Sequence, residues 1–258
     1  MEQTERRKYL IEYLLSERNE SAAIPNDTEA QKRLFRALVN VRMPKSASRE
    51  FLKIQGEYLR EELRLKGITD IAELNPIMPD IYLWKGDITT LKCDAIVNAA
   101  NSRMLGCFCP NHNCIDNTIH TFAGVELRKS CYDIMSLQGR EEPVGRAKIT
   151  PGYNLPCRYI IHTVGPMVLG DLDGTHEKQL SDCYRSCLAL ADKNFLESIA
   201  FCCISTGEFR FPNERAAKIA VQTVGEYKRE TKSKIKVIFN VFKEYDHEIY
   251  KKLLRWYL

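Results

Sequence analysis

Asp94-Ala-Ile-Val-Asn-Ala-Ala-Asn101 decides the fold of this chain. Its apolar run is short, bounded by polar residues, and has the length of a buried strand. Just upstream, Tyr82-Leu-Trp-Lys-Gly-Asp-Ile-Thr-Thr90 reads as a strand running into a loop. Downstream, AKITPGYN (Ala147–Asn154) and RYIIHTVGP (Arg158–Pro166) read as strands separated by the Leu155-Pro156 turn. SIAFCCIST (Ser198–Thr206) and IKVIFNVF (Ile235–Phe242) read as two more. Helical patterns fill the intervals, over about Asn117–Met135, His176–Asn194 and Asn213–Lys232, with a closing helix over His247–Leu258. Strands interleaved with helices of this length imply a sheet covered on both faces.

Upstream the texture changes. Residues 1–75 hold no glycine before Gly56 and are rich in Glu, Arg, Lys and Leu. Tyr9, Leu10, Tyr13 and Leu14 make one stripe of period 3.6, and Leu34, Leu38 and Val41 make another. A third helix is expected after Pro44, capped by Ser46 or Ser48, carrying Phe51, Leu52, Tyr58, Leu59 and Leu63 and ending at Gly67. Asn75-Pro76 and Pro79 mark a turn-rich boundary. The chain therefore divides into a small all-helical N-terminal module, residues 1–75, and an α/β domain, residues 76–258.

With 44% hydrophobic and 28% charged residues the chain has the balance of an ordinary soluble globular protein. The formal net charge of +4 lacks the concentration of basic residues that nucleic-acid binders show, so no nucleic-acid partner is expected. No run approaches a membrane span, and the charged, amphipathic N-terminus has no apolar export segment. A cytoplasmic location is expected. Without an export signal the ten cysteines are expected to be reduced, with Cys183, Cys187, Cys202 and Cys203 serving as small buried hydrophobes.

One cysteine cluster lies instead in a polar loop, Met104–His120, MLGCFCPNHNCIDNTIH. Cys107, His112 and Cys114 form the pattern C-x4-H-x-C, with Cys109 inside it, Asp116 two residues on and His120 four further. Thiolate and imidazole so close in sequence suit a zinc ion. A structural site usually shows four ligands in paired clusters, whereas three leave a coordination position open for chemistry. A structural zinc clip or free thiols are the alternatives, and Cys109 competes with Cys107 as a ligand.

Four loops that follow expected strands together resemble a macrodomain. They are GDIT (Gly86–Thr89), NAAN (Asn98–Asn101), CIDNTIHTFAG (Cys114–Gly124) and STGEFRFP (Ser205–Pro212), in the family's order, over about Ile81–Leu258. Where MacroD-type hydrolases have G-G-x-D-x-x-I-H-x-x-A-G, this chain has N-C-I-D-N-T-I-H-T-F-A-G, with Asn113-Cys114 in place of the glycine pair. That departure is similar to the zinc-dependent branch of macrodomains found beside class M sirtuins, which also carries a helical N-terminal extension. The resemblance implies a three-layer α/β/α sandwich with a mixed central sheet behind the helical module. It implies a hydrolase that removes mono-ADP-ribose from protein, with one zinc per chain on Cys107, His112 and Cys114. Cys109 falls on a variable position of that branch's pattern. The implied partner is an ADP-ribosylated protein, with a lipoylated glycine-cleavage H-like protein as candidate and ADP-ribose as product.

The resemblance also distributes roles. Asp87 accepts from the adenine amine while the backbone at Ile88 reads the ring; on residues alone, a turn-forming Asp after a strand is the alternative. Phe242 stacks on adenine, where a bare aromatic at a strand end more often belongs to the core. Ser205, Thr206, Gly207, Glu208 and Phe209 form a backbone nest for the diphosphate, with Gly124 and Val125 as its opposite wall. The family's second glycine in that nest is replaced by Arg210. Asn98 is read as a turn cap, Asn101 as the asparagine that holds the distal ribose, and His120 as a packing residue or an outer-shell partner of the metal. Asp116 is the expected general base.

Overall fold

The computed structural model describes residues 1–256. Helix α1 (Gln3–Ser16) buries Leu10, Ile11, Leu14 and Leu15. Helix α2 (Thr28–Val41) starts where the Asp27 side chain accepts from the Ala30 amide. Helix α3 (Arg49–Lys66) is capped by Ser48, whose hydroxyl accepts from the Phe51 amide, and stops at Gly67 in the left-handed region. Leu10, Phe35, Phe51 and Leu59 close a core among the three helices, and Val125 from the α/β domain completes it. Leu63, one turn along α3 from Leu59, belongs instead to the main core beneath the sheet. Helix α3 therefore ties the two cores together with one continuous backbone.

Strand β1 (Thr69–Asp70) pairs in parallel with β3 (Leu91–Lys92), a two-stranded tie that the residue pattern was too short to announce. The main sheet holds β2 (Ile81–Lys85), β4 (Ala95–Ala100), β5 (Ala147–Pro151), β6 (Tyr159–Val164), β7 (Ser198–Phe201) and β8 (Lys236–Val241). Their order is β2-β8-β7-β4-β6-β5, all parallel except β5. Pro151, which cannot donate to a ladder, sits on that antiparallel edge strand, where the omission is harmless. Helices α4 (Ile115–Ala123) and α5 (Val125–Gln138) cover one face along with the helical module. Helices α6 (Gly174–Lys193), α7 (Asn213–Thr231) and α8 (Glu244–Trp256) pack side by side on the other. The architecture is the expected three-layer sandwich with a mixed sheet.

Three local expectations are corrected. The single helix expected over Asn117–Met135 is two, because Gly124 at φ 99° takes a conformation that breaks the helix. The strand in SIAFCCIST ends at Phe201, and Cys203 is only half-buried, while Cys183, Cys187 and Cys202 are buried as expected. The last helix begins at Glu244, ahead of His247, and its expected end at Leu258 lies outside the described residues. Among the described residues no helix is long and apolar enough to cross a membrane.

Candidate active site

Five parallel strands end on the same rim, where open α/β sheets place their ligand crevice. The loops that leave them converge on one cleft of about 1370 Å³. That exceeds the usual few hundred to a thousand cubic ångströms of a small-ligand pocket, so an extended ligand fits. Asp87, Ile88, Asn101, Cys107, His112, Cys114, Asp116, Ser205, Thr206, Gly207, Glu208, Phe209 and Phe242 all line it. The far wall comes from the helical module, through Lys32, Arg33, Arg36, Tyr58, Glu62 and Lys66 among others.

At one end, the register of β2 on β8 pairs Lys85 with Val241 and sets the Gly86–Ile88 turn beside Phe242. The Gly86 amide donates to the Val241 carbonyl, and the Asn240 side chain donates to the Gly86 carbonyl, which fixes the turn. Phe242 is 76% exposed, so it is not a core residue. Asp87 accepts from both the amide and hydroxyl of Thr89 and pairs with Lys66 Nζ at 2.9 Å. Burial works to raise this carboxyl, but Thr89 and Lys66 outweigh it and hold it below its usual range. Lys66 also lies over the Phe122 ring, 3.5 Å from its centroid.

In the middle, the loop after β7 turns back on itself, with the Phe211 amide donating to the Ser205 carbonyl and the Arg210 amide to that of Gly207. Ser205 and Arg210 both have positive φ, 65° and 57°. Arg210 thus keeps the glycine-favouring backbone of the position it replaces. The expected opposite wall is corrected. Gly124 and Val125 do not line the cleft, because α3 covers them: the Val125 amide donates to Gln55 Oε1 at 3.0 Å. Asn111, His112, Asn113, Cys114 and Ile115 face the cleft instead.

At the other end, Cys114 occupies the N-cap of α4 and its Sγ accepts from the Asn117 amide. A cysteine there points its sulfur at the positive end of the helix dipole. Cys107 Sγ lies 3.6 Å from His112 Nδ1, and one ligand atom from each of Cys107, His112 and Cys114 falls within 4.8 Å of the others. Tetrahedral zinc, with bonds of about 2.0–2.3 Å, needs ligand atoms spaced at roughly this range. The donor set fits the ion, and Cys109 stands outside it, exposed. Burial pushes the Cys114 thiol up to about 12, so a cation beside it is what makes a thiolate. His112 Nε2 stands 3.5 Å from Glu208 Oε1, an orienting carboxylate on the free side of the ring.

Asp116, on the first turn of α4, is buried between these elements. Its Oδ1 accepts from Asn98 Nδ2 at 2.8 Å and its Oδ2 from Asn101 Nδ2 at 3.5 Å. Burial raises its pKa to about 6, against the opposing effects of Asn98 and Arg128. Asn98 does not cap a turn. It is fully buried in β4, opposite His162 on β6, and its amide also reaches His162 Nδ1 at 3.2 Å. The Asn98 amide nitrogen can only donate, so Nδ1 is the ring's acceptor and Nε2–H donates to Thr150 Oγ1 at 2.9 Å. His120 is buried, its Nε2 3.5 Å from Asp116 Oδ1, and neither ring nitrogen has a hydrogen-bond partner. Gly106 crosses over this ring so closely that a Cβ there would meet it at 3.0 Å.

The macro domain family model matches residues 97–220. A "Protein-ADP-ribose hydrolase" of Treponema medium is 55% identical, the match covering 98% of this chain and all of that protein. A protein of the same description from Staphylococcus aureus is 52% identical over 95% of this chain and 94% of its own length. Among solved structures, the Trypanosoma brucei macrodomain in complex with ADP-ribose superposes with a TM-score of 0.65 at 32% identity, covering 84% of this chain and 94% of that one. The Oceanobacillus iheyensis macrodomain with ADP does so at 0.64 and 37%, covering 71% and 95%.

Proposed function

This chain belongs to the macro domain family, and from that premise we propose that it is a zinc-dependent hydrolase that removes mono-ADP-ribose from modified protein side chains. The observation that carries the reading is the convergence at one end of the cleft of a buried carboxylate, Asp116, with Asn101 and the Cys107, His112 and Cys114 ligand set. A module that only binds ADP-ribose needs neither the base nor an open metal position.

Asp87, the Ile88 backbone and Phe242 take the adenine, and the backbone of Ser205–Phe209 faces Asn113–Ile115 across the diphosphate. That seating delivers the distal ribose to Asn101 and Asp116. Cys107, His112 and Cys114 would hold the zinc, which when bound would supply Lewis-acid polarisation of a substrate or water oxygen. Asn98 holds Oδ1 of Asp116 at 2.8 Å, so Oδ2, which Asn101 reaches only at 3.5 Å, is the oxygen to take a proton from an attacking water. The water oxygen bonds to the anomeric carbon as the bond from that carbon to the protein side chain breaks, and the proton that Asp116 takes from the water passes to the departing side chain. The sirtuin-linked resemblance makes a lipoylated glycine-cleavage H-like protein the candidate substrate.

The test is release of ADP-ribose from a mono-ADP-ribosylated protein, with and without chelator. Asp116→Ala is expected to lose release by at least about a hundredfold, the scale of a lost general base, while ADP-ribose affinity stays within a factor of about two. Chelation is expected to lose release without loss of fold. A wild-type protein that binds ADP-ribose and releases nothing is a reader with a structural zinc. Unchanged turnover in Asp116→Ala removes the aspartate from the mechanism.

A further inference from the structure

The segment from Cys107 to Cys114 contains no helix or strand, yet it has to present three ligand atoms in a fixed geometry. Ordering such a loop costs about 1–2 kcal/mol per residue in backbone entropy, so something must hold it. Within the α/β domain, Asn117 Nδ2 donates to the Cys109 carbonyl at 3.1 Å, Thr118 Oγ1 donates to the Cys114 carbonyl at 3.1 Å, and the Arg128 guanidinium lies 4.4 Å over the Phe108 ring. The side-chain hydrogen bonds to the backbone of Asn111 and His112, in the middle of the segment, come from outside that domain. On α2, Arg36 and Asn40 sit four residues apart and so share a helix face. Arg36 Nη2 donates to the His112 carbonyl at 2.8 Å and to Asn117 Oδ1 at 3.0 Å. Asn40 Oδ1 accepts from the Asn111 amide at 2.9 Å, and its Nδ2 donates to Thr121 Oγ1 at 3.0 Å. Asn111 is the loop's left-handed residue, at φ 55°, so Asn40 grips the loop at its least favourable backbone position.

We propose that Arg36 and Asn40 of the helical module are positioning residues for the metal loop, clamping the backbone on both sides of the Asn111-His112 bond so that Cys107, His112 and Cys114 are preorganised. The module is thereby a built part of the site. Arg36 ties together the loop and the first turn of α4, through Asn117, and so fixes Cys114 relative to His112. The consequence for metal affinity rests on the zinc reading, whereas the ordering of the loop does not.

Two measurements on the full chain keep these apart. The first is the rate at which Cys107, Cys109 and Cys114 are alkylated in chelator-treated protein, read by peptide mass. The loop thiols are the exposed or half-exposed ones apart from Cys203, so the signal is local. Arg36→Met and Asn40→Ala are each expected to speed alkylation of Cys107 and Cys114 by roughly tenfold or more at an unchanged rate for Cys203. Lys8→Met, exposed on α1 and away from both the cleft and the clamp, is expected to leave all rates alone. The second is zinc affinity by competition with a chromophoric chelator, expected to weaken by roughly 10–100-fold in both clamp variants, the scale on which outer-shell partners act. Loop alkylation equal to wild type in both variants overturns the clamp whatever the metal does. If zinc fails to protect the wild-type thiols, the zinc reading falls, and the metal-free rates still decide the clamp. Faster alkylation of Cys203 together with the loop in Arg36→Met and Asn40→Ala alike shows general unfolding and also overturns it.

Discussion

Phe242 is exposed because β8 ends at Val241 and the chain turns out of the sheet there, beside Gly86 and Asp87. Its ring therefore contributes little to packing, and on the proposed function it serves as a stacking platform. Stacking of a base on an aromatic ring is worth about 1–3 kcal/mol. Phe242→Ala is expected to weaken ADP-ribose binding by roughly 5–150-fold with no change in melting temperature, read by calorimetric titration and a thermal melt. A lowered melt with unchanged affinity would assign the ring to packing instead. At this scale the sequence was informative wherever chemistry is carried by neighbours in the chain. Cys107, His112, Cys114 and Asp116 are legible because a candidate ligand set and its adjacent carboxylate lie within ten residues. Arg36, Asn40 and Lys66 were not, since each meets its site partner across 21 to 81 positions of sequence and carries no motif. Asn98 was misread for the same reason: its partner His162 is 64 residues away and arrives only through the register of β4 on β6.

Among the elements, periodicity announced the helices and apolar runs announced the strands of the main sheet. What periodicity does not hold is where one helix stops and another starts when the break is a single glycine, as at Gly124. That break matters, because it turns α5 so that Val125 faces α3 and its amide meets Gln55 rather than the cleft. Helix α3 in turn carries Leu59 in the module core and Leu63 in the main core, with one continuous backbone between. Leu59→Ala, which empties a buried position, is expected to cost about 2–5 kcal/mol. Because α3 is rigid across both cores, the loss is expected in a single urea transition followed by both tryptophan fluorescence and far-UV dichroism. Two separated transitions, with only the first shifted, would show that the module unfolds alone.

For the molecule as a whole, burying a polar network under Asp116 has a cost that depends on pH. His162 is fully buried and neutral, its pKa lowered by desolvation to about 3, and His120 is lowered well below its ordinary value by desolvation, by Arg128 and by His162. In the unfolded chain both titrate near about 6.5. Above that pH neither state binds the proton and the stability is complete. As pH falls from about 6.5 toward 3, the unfolded state takes up two protons that the folded state refuses, so stability is lost. Asp116 acts in the opposite sense: raised to about 6, it holds a proton in the folded state from there down to about 4, where the unfolded carboxyl has released it, and so offsets one histidine over that window. Unfolding free energy in chelator-treated protein is therefore expected to fall by about 1.4 kcal/mol per pH unit between pH 6 and 4, one net proton. Removing the titrating ring in His162→Gln is expected to flatten that slope toward zero, whatever it does to absolute stability. A slope equal to wild type in the variant would mean that His162 is charged in the folded protein, and that the hydrogen bond from Asn98 to its Nδ1 is not there.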